Sequence, residues 1–348
     1  MRIAALTSVM FLFLLPVWGQ SQQAPLCAVP DPGNATVEID GVKLTFADLE
    51  RKRPTVLFQA RNTFYEAQRK ALEELIDEYL LEREAQKEKV PVAELLERHV
   101  NAKLPADPND ESLRVYFEGL DVKEPFEAVR GKIVEHLRQR RITKMREAYM
   151  AGLRANARVS IDLTPPRAEV SLAGVRVLGP AGAPLTLIEY ADYECPYCQQ
   201  IQPAVERVLA EYKDRVAYAY KDLPLPNHPA AQKASEAAHC AGAQDRYWEY
   251  HKTLVSGKDL EVPKLKARAR EMGLKGDVFD KCLDSGEKAA IVAGNLSEAQ
   301  GLGLQGTPTL FINGRLLSGL ISYEKLREVV EEELKRAGAM ARNMSPGQ

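Results

Sequence analysis

The chain has 348 residues, 45% hydrophobic and 28% charged, with a formal net charge of −2. That length allows two domains of ordinary size. The near-neutral balance argues against nucleic acid or a polybasic membrane surface as a partner, and beyond position 20 no run is long and apolar enough to span a bilayer.

The opening MRIAALTSVMFLFLLPVWGQ carries one charge, Arg2, ahead of an apolar run that ends at Pro16, and Val17-Trp18-Gly19 offers small-ended cleavage positions. This predicts a secretory signal peptide over 1–20, and so a periplasmic or otherwise exported protein. Left uncleaved, the same segment would be a membrane tether. Export places the chain where disulfides persist. Residues 21–34, rich in proline, glycine and polar side chains, read as a flexible leader.

ATVEIDGVKLTF alternates around Asp40-Gly41, a strand–turn–strand signal. Helical periodicity follows from Asn62 to Lys89, with Leu72, Leu75, Ile76, Tyr79 and Leu80 assigned to one face. A second helix is expected from Val92 to Lys103. A third, capped by Asn109 or Asp110, runs through Leu120. A long helix from Glu124 to Asn156 keeps Phe126, Val129, Ile133 and Leu137 in register, and ARVSIDL over 157–163 returns to strand alternation. Residues 35–164 therefore predict a mainly helical unit bracketed by two short strands that pair with each other.

The prolines and glycines over 165–184 mark a linker and first-strand region. The last domain, 185–338, reads as strand LTLIEY, a helix over 197–213, strand RVAYAY, and a helical block from His228 to Asn295. The hairpin TLFINGRLL, turning at Asn313-Gly314, and an amphipathic closing helix follow. Residues 339–348 are a tail. The fold class is α/β, preceded by a mainly helical domain.

The five cysteines are Cys27, Cys195, Cys198, Cys240 and Cys282. Two pairs leave one over, and Cys27 is the odd thiol. Pro25 and Leu26 before it do not fit a lipoprotein signal. In ECPYC, Cys195 falls at a strand-to-helix junction. There the unpaired N–H groups and the helix dipole favour a thiolate. Pro196 suits the first helical turn. Cys198, one turn on, can resolve a mixed disulfide formed at Cys195. A zinc site would need a second ligand pair at similar spacing. Cys240 and Cys282 are 42 residues apart, and His239 and His251 form no regular pattern with them. No metal is expected; a purely structural bridge between Cys195 and Cys198 is the other reading.

The stretches GPAGAPLTLIEYADYECPYC, YKDLPLPNHPAAQKASEAAHCAGAQDRYWEYH and GTPTLFINGR resemble the DsbA-like branch of the thioredoxin superfamily, over about residues 167–338. That resemblance implies a thioredoxin-like fold with a helical insertion, and thiol–disulfide exchange that needs no organic cofactor. It implies that Cys195 is the nucleophile and Cys198 the resolving thiol. It places Glu189, six residues before Cys195, as a buried acid shuttling protons. Pro308 matches the family's cis-proline, with the backbone of Thr307 pairing with an extended substrate, and Pro196 and Tyr197 join the substrate-contacting positions. Some members carry a structural disulfide where Cys240 and Cys282 lie; the alternative is two reduced, buried cysteines. His228 and His239 are expected to be surface or structural residues. The strongest oxidants of the branch have Pro-His between the cysteines. Pro-Tyr here implies a less oxidising disulfide and leaves the direction of electron flow open.

Residues 35–164 resemble the N-terminal helical region of SurA-type chaperones and parvulin-like foldases, through VEIDGVKLTFADLE, ALEELIDEYLLEREAQKEKV and the closing ARVSIDL. The implied role is holding unfolded clients, or homodimerisation; a spacer is the alternative. The combined expectation is an exported oxidoreductase acting on cysteines of folding envelope proteins, with a membrane redox partner resetting CPYC. The alternatives are an isomerase or reductase kept reduced by that partner, and a chaperone or adaptor whose thioredoxin-like domain mainly binds.

Overall fold

The computed structural model describes residues 36–53, 55–257 and 259–344. The expected signal peptide, the leader and Cys27 lie outside them. The chain separates into two compact units, divided between Arg53 and Pro54.

In the first unit, β1 (Thr36–Ile39) pairs antiparallel with β2 (Val42–Thr45). Asp40 and Gly41 both adopt positive φ, the geometry of a tight two-residue hairpin turn. Helix α1 (Phe46–Lys52) starts on a capping box. Thr45 Oγ1 accepts from the Asp48 backbone N–H at 3.2 Å, and Asp48 Oδ2 accepts from the Thr45 N–H at 2.8 Å.

The second unit opens with α2 (Phe58–Glu88), α3 (Val92–His99), α4 (Asp110–Glu118) and α5 (Phe126–Ala155). The α4 cap is Asn109, whose side-chain oxygen accepts from the Ser112 N–H at 2.9 Å. Leu80, Leu81, Ala85, Leu95 and Met150 form one small core, and Leu113, Phe126, Val129 and Ile133 another. Arg154 of α5 reaches Asp77 of α2 at 2.7 Å and also binds Glu73.

Two expectations fail here. Leu75 and Tyr79 are about 60% exposed rather than buried with Leu80. The inward row of α2 runs Phe58, Tyr65, Arg69, Leu72, Ile76, Leu80, a helical spacing that leaves Leu75 and Tyr79 on its flank. No strand forms over 157–163 either, and Val159 faces solvent. The alternation is present, but a strand needs a paired neighbour, and among the described residues 157–163 belongs to neither sheet. The closing strand that carried the resemblance to SurA-type chaperones is therefore not formed.

A five-stranded sheet follows, ordered β3-β5-β4-β6-β7, from β3 (Val177–Leu178), β4 (Leu185–Ala191), β5 (Val216–Asp222), β6 (Thr309–Ile312) and β7 (Arg315–Ser318). β4 lies parallel to β5 and antiparallel to β6. Helix α6 (Pro196–Glu211) connects β4 to β5. Five helices, α7 (Ala231–Gly242), α8 (Tyr247–Ser256), α9 (Val262–Glu271), α10 (Gly276–Asp284) and α11 (Ala289–Gly301), separate β5 from β6, and α12 (Tyr323–Met344) closes the chain. One sheet face, with Leu185, Leu187 and Ala191, joins a core with α6, α12 and the inserted helices. The other, with Ile188, Tyr190 and Phe311, packs on Ala299, Leu302 and Phe58 of α2. The start of α2 thus completes the sheet domain, and Arg69 of α2 binds Glu328 and Glu332 of α12 at 2.9 and 3.1 Å.

A disulfide joins Cys240 of α7 to Cys282 of α10 across 42 residues. In the chain-entropy model a loop of that length stabilises the fold by about 4 kcal/mol. Replacing both cysteines by alanine should lower the urea midpoint correspondingly, followed by Trp248 fluorescence, while leaving the chemistry of Cys195 and Cys198 intact.

Candidate active site

Cys195 is the N-cap of α6 and Pro196 its first residue. Proline forfeits no hydrogen bond there, because the first N–H groups of a helix are unpartnered anyway. Both cysteines are reduced and nearly buried, whereas Tyr197 between them is 58% exposed. The amino end of α6 favours negative charge where Cys195 sits.

The loop before β6 faces the pair. The Thr307–Pro308 peptide is cis, and the Thr307 carbonyl lies 3.6 Å from Cys195 Sγ, accepting from the thiol. Burial pushes the Cys198 thiol well up. The buried Thr307 hydroxyl, which has no geometric hydrogen-bond partner among the described residues, acts in the opposite sense on Cys198.

Beneath the pair, Glu189 projects from β4 into the core and is fully buried. Tyr218 O–H donates to Oε2 at 2.7 Å, and Gln202 Nε2 lies 2.9 and 3.1 Å from the two carboxylate oxygens. Burial with no cation at hand raises this carboxyl from 4.5 to about 7, although both hydrogen bonds favour the ionised form. The Glu189 charge in turn adds to the raising of the Cys198 thiol.

Asp192, fully buried, shapes the turn into α6. It accepts from the Glu194 N–H at 2.7 Å, the Leu225 N–H at 2.8 Å and His228 Nδ1 at 2.7 Å. Tyr193 stacks on Tyr220 with centroids 4.8 Å apart, and its hydroxyl shares a hydrogen bond with His251 Nδ1 at 2.8 Å. Burial pushes His251 down to about 4, which keeps the imidazole neutral. His239 binds Asp222 at 2.7 Å. Cys195, Cys198, Glu189, Thr307, Pro308, Pro196 and Tyr197 thus gather around one end of α6, while His228 and His239 serve buried carboxylates. Among the described residues no group of three or more His, Cys, Asp or Glu gathers as a metal site.

Sequence reasoning missed Gln202, Tyr218 and Asp192. A signal for Gln202 exists: it is the one polar residue in the buried set Cys198, Ile201, Gln202, Val205, Val208 of α6. Asp192 and Tyr218 carry no such mark, because their partners come from distant segments.

A family described as Thioredoxin matches residues 172–332. The C-terminal half is a thioredoxin-like domain. Curated relatives include the Na(+)/H(+) antiporter NhaA 3 of Salinispora tropica, 40% identical over 156 residues, which cover 44% of this chain and 24% of that protein. The chain spans about a quarter of the length of the curated relatives it matches. No helix among the described residues is long and apolar enough to cross a membrane. Among solved structures, oxidised BdbD from Bacillus subtilis is 22% identical, covering 49% of this chain and 97% of that one, with a TM-score of 0.46. The catalytic domain of Proteus mirabilis ScsC is 28% identical, covering 47% of this chain and 90% of that one, with a TM-score of 0.42. The helices before residue 172 lie outside the Thioredoxin match.

The raised acid of the thioredoxin-like domain has a signed consequence for stability. Below pH 4.5 the Glu189 carboxyl is neutral in folded and unfolded chains alike. From there to about pH 7 the unfolded chain ionises first, so folding is increasingly penalised, and above that the penalty is constant. The Glu189→Gln variant should therefore gain about 3 kcal/mol relative to the parent across that window, read as urea midpoints at each pH.

Proposed function

We propose that the protein is an exported thiol–disulfide oxidoreductase that exchanges disulfides with cysteines of folding proteins through Cys195 and Cys198. The observation that carries this reading is the stacking of three layers: the Thr307 carbonyl at Cys195 Sγ, the dithiol at the amino end of α6, and a carboxyl poised near neutrality beneath it. The Cys240–Cys282 disulfide supports export, since such bonds persist in oxidising compartments.

In the oxidising direction, a client thiolate attacks Cys195 Sγ of the Cys195–Cys198 disulfide. A client–Cys195 bond forms as the Cys195–Cys198 bond breaks, and Cys198 leaves as a thiolate. Glu189, protonated for much of the time near neutral pH, supplies the proton that a thiolate at this buried position requires. A second client thiolate then attacks the client sulfur of the mixed disulfide and releases Cys195. The client has lost two electrons and the enzyme has gained them; a membrane partner's disulfide takes them back. Reduction or isomerisation runs the same steps from the dithiol. Tyr197, exposed between the cysteines, supplies an aromatic contact and no cationic charge.

The remaining elements extend the reading. Thr307 and Pro308, with Pro196 and Tyr197, form the surface that meets an extended client segment. The helices α2 to α5 hold unfolded clients near the dithiol, raising their effective concentration, or pair two copies of the chain.

With a reduced, unfolded client, the parent should form client disulfides while its own pair is reduced. Cys198→Ser should accumulate a mixed disulfide at Cys195, seen as a mass adduct, and Cys195→Ser should abolish turnover. Client effects that survive removal of both cysteines would mark a binding module instead. A reduction potential near ~−120 mV would assign disulfide donation, and one near ~−270 mV reduction or isomerisation.

A further inference from the structure

The first turn of α2 reaches the loop that carries Thr307. Gln59 Nε2 donates to the Leu302 carbonyl at 2.7 Å, where α11 ends. The next residue, Gly303, has φ +70, and a Cβ placed on it would meet Gln59 Cγ at 2.8 Å. Neighbouring Phe58 is buried against Phe311 of β6, with ring centroids 6.1 Å apart. The loop from Gly303 to Pro308 is therefore held at its start by Gln59 and at its end by the sheet. Inside it, Thr309 Oγ1 donates to the Gly306 carbonyl at 2.7 Å, and the Gly319 N–H donates to the Pro308 carbonyl at 3.0 Å. A shallow cavity of about 210 Å³ lies along this loop, lined by Gln59, Gly303, Thr307, Pro308 and Ser318 among others.

We infer that Gln59 is a positioning residue for the client-facing loop, so that the helix preceding the thioredoxin-like domain sets how an extended client meets Cys195. This rests on the oxidoreductase reading. The physical argument is local. The loop contains Gly303 and Gly306, which leave its backbone free to move. Among the described residues, the Gln59 amide is the α2 side chain that bonds the start of this loop, at the Leu302 carbonyl. Release of that anchor lets the Thr307 carbonyl shift relative to the sulfur 3.6 Å away. An extended peptide, which must bond the loop backbone while its sulfur reaches Cys195, depends on that spacing. A small thiol does not.

The test uses the full chain with Gln59→Ala, and with Gln59→Met, which keeps the side-chain volume beside Gly303 but removes the donor. Disulfide exchange is measured with an unfolded cysteine-containing peptide and with glutathione. The peptide KM should rise about fivefold in both variants, the factor for one net hydrogen bond, with the glutathione rate changed by less than about twofold. Equal losses for both substrates would mean general damage, and no loss for either would mean no role; each overturns the inference. If the parent exchanges with neither substrate, the oxidoreductase reading fails by itself. Amide hydrogen exchange then decides the role of Gln59: faster exchange in the loop from Gly303 to Thr307 in the variants supports positioning, and unchanged exchange refutes it.

Discussion

Strand β4 is hydrogen-bonded along both edges, and the parity of its residues decides where each functional group lies. Leu185, Leu187, Glu189 and Ala191 face α6 and the inserted helices, while Ile188 and Tyr190 face α11 and α2. A slip of one residue would exchange these sets. Glu189 would then leave the core beneath the cysteines, and Tyr190 would lose its edge-on contact with Phe311. The same strand ends at Asp192, whose buried carboxylate fixes the turn that delivers Cys195 to the start of α6. The position of the dithiol is thus a consequence of strand register and one carboxylate that closes the turn before α6.

The core around this strand tolerates charge only where it is answered. Lys221, on the face opposite Glu189, is held by Glu298 and by the Ser171 carbonyl at 2.9 Å. Asp222 is bound by His239 and Asn295, and its carboxyl stays below the usual range in spite of burial. Glu189 is the exception. Its partners are neutral donors, so desolvation prevails and the carboxyl rises to about 7. The contrast is physical: two buried carboxylates lie on adjoining strands, and the presence or absence of an imidazole partner sends them in opposite directions. In the proposed reaction the unpaired acid is the useful one, because only a group near its midpoint can both give and take a proton.

The sequence made the sheet, the dithiol helix and the hairpin readable because each is encoded locally. An apolar run, a CPYC at a strand end and Asn313-Gly314 at a turn need no distant information. Glu189 was readable from the resemblance, which places an acid six residues before Cys195, with strand alternation turning it inward. What was not readable depends on contacts between remote segments. The alternation over 157–163 has the pattern of a strand, but among the described residues it joins neither sheet, and Ala157 packs on the small core of Leu80, Leu95 and Met150 instead. Leu75 and Tyr79 belong to the apolar side of α2 by composition, yet the buried row passes one residue away, because Phe58 and Tyr65 fix the rotation of the helix against the sheet domain. Gln202 and Tyr218 acquire meaning only once α6 and β5 close over β4.

Helix α2 belongs to two cores. Phe58 and Gln59 are built into the sheet domain and its loop, Arg69 is tied to α12, and Leu80, Leu81 and Ala85 pack with Leu95 and Met150. It has 31 residues and no internal glycine or proline, so it spans about 45 Å without a built-in hinge. A boundary drawn by composition after residue 164 separates the helices from the thioredoxin-like domain in sequence, but α2 crosses it in space. A body joined by such a strut cannot swing freely as one on a glycine linker would. Force applied at α3 or α5 is passed along α2 to Gln59 and the loop facing Cys195, or it must break the Arg69 and Phe58 contacts. The helices α3 to α5 are therefore coupled to the loop facing Cys195 through the first turn of one helix.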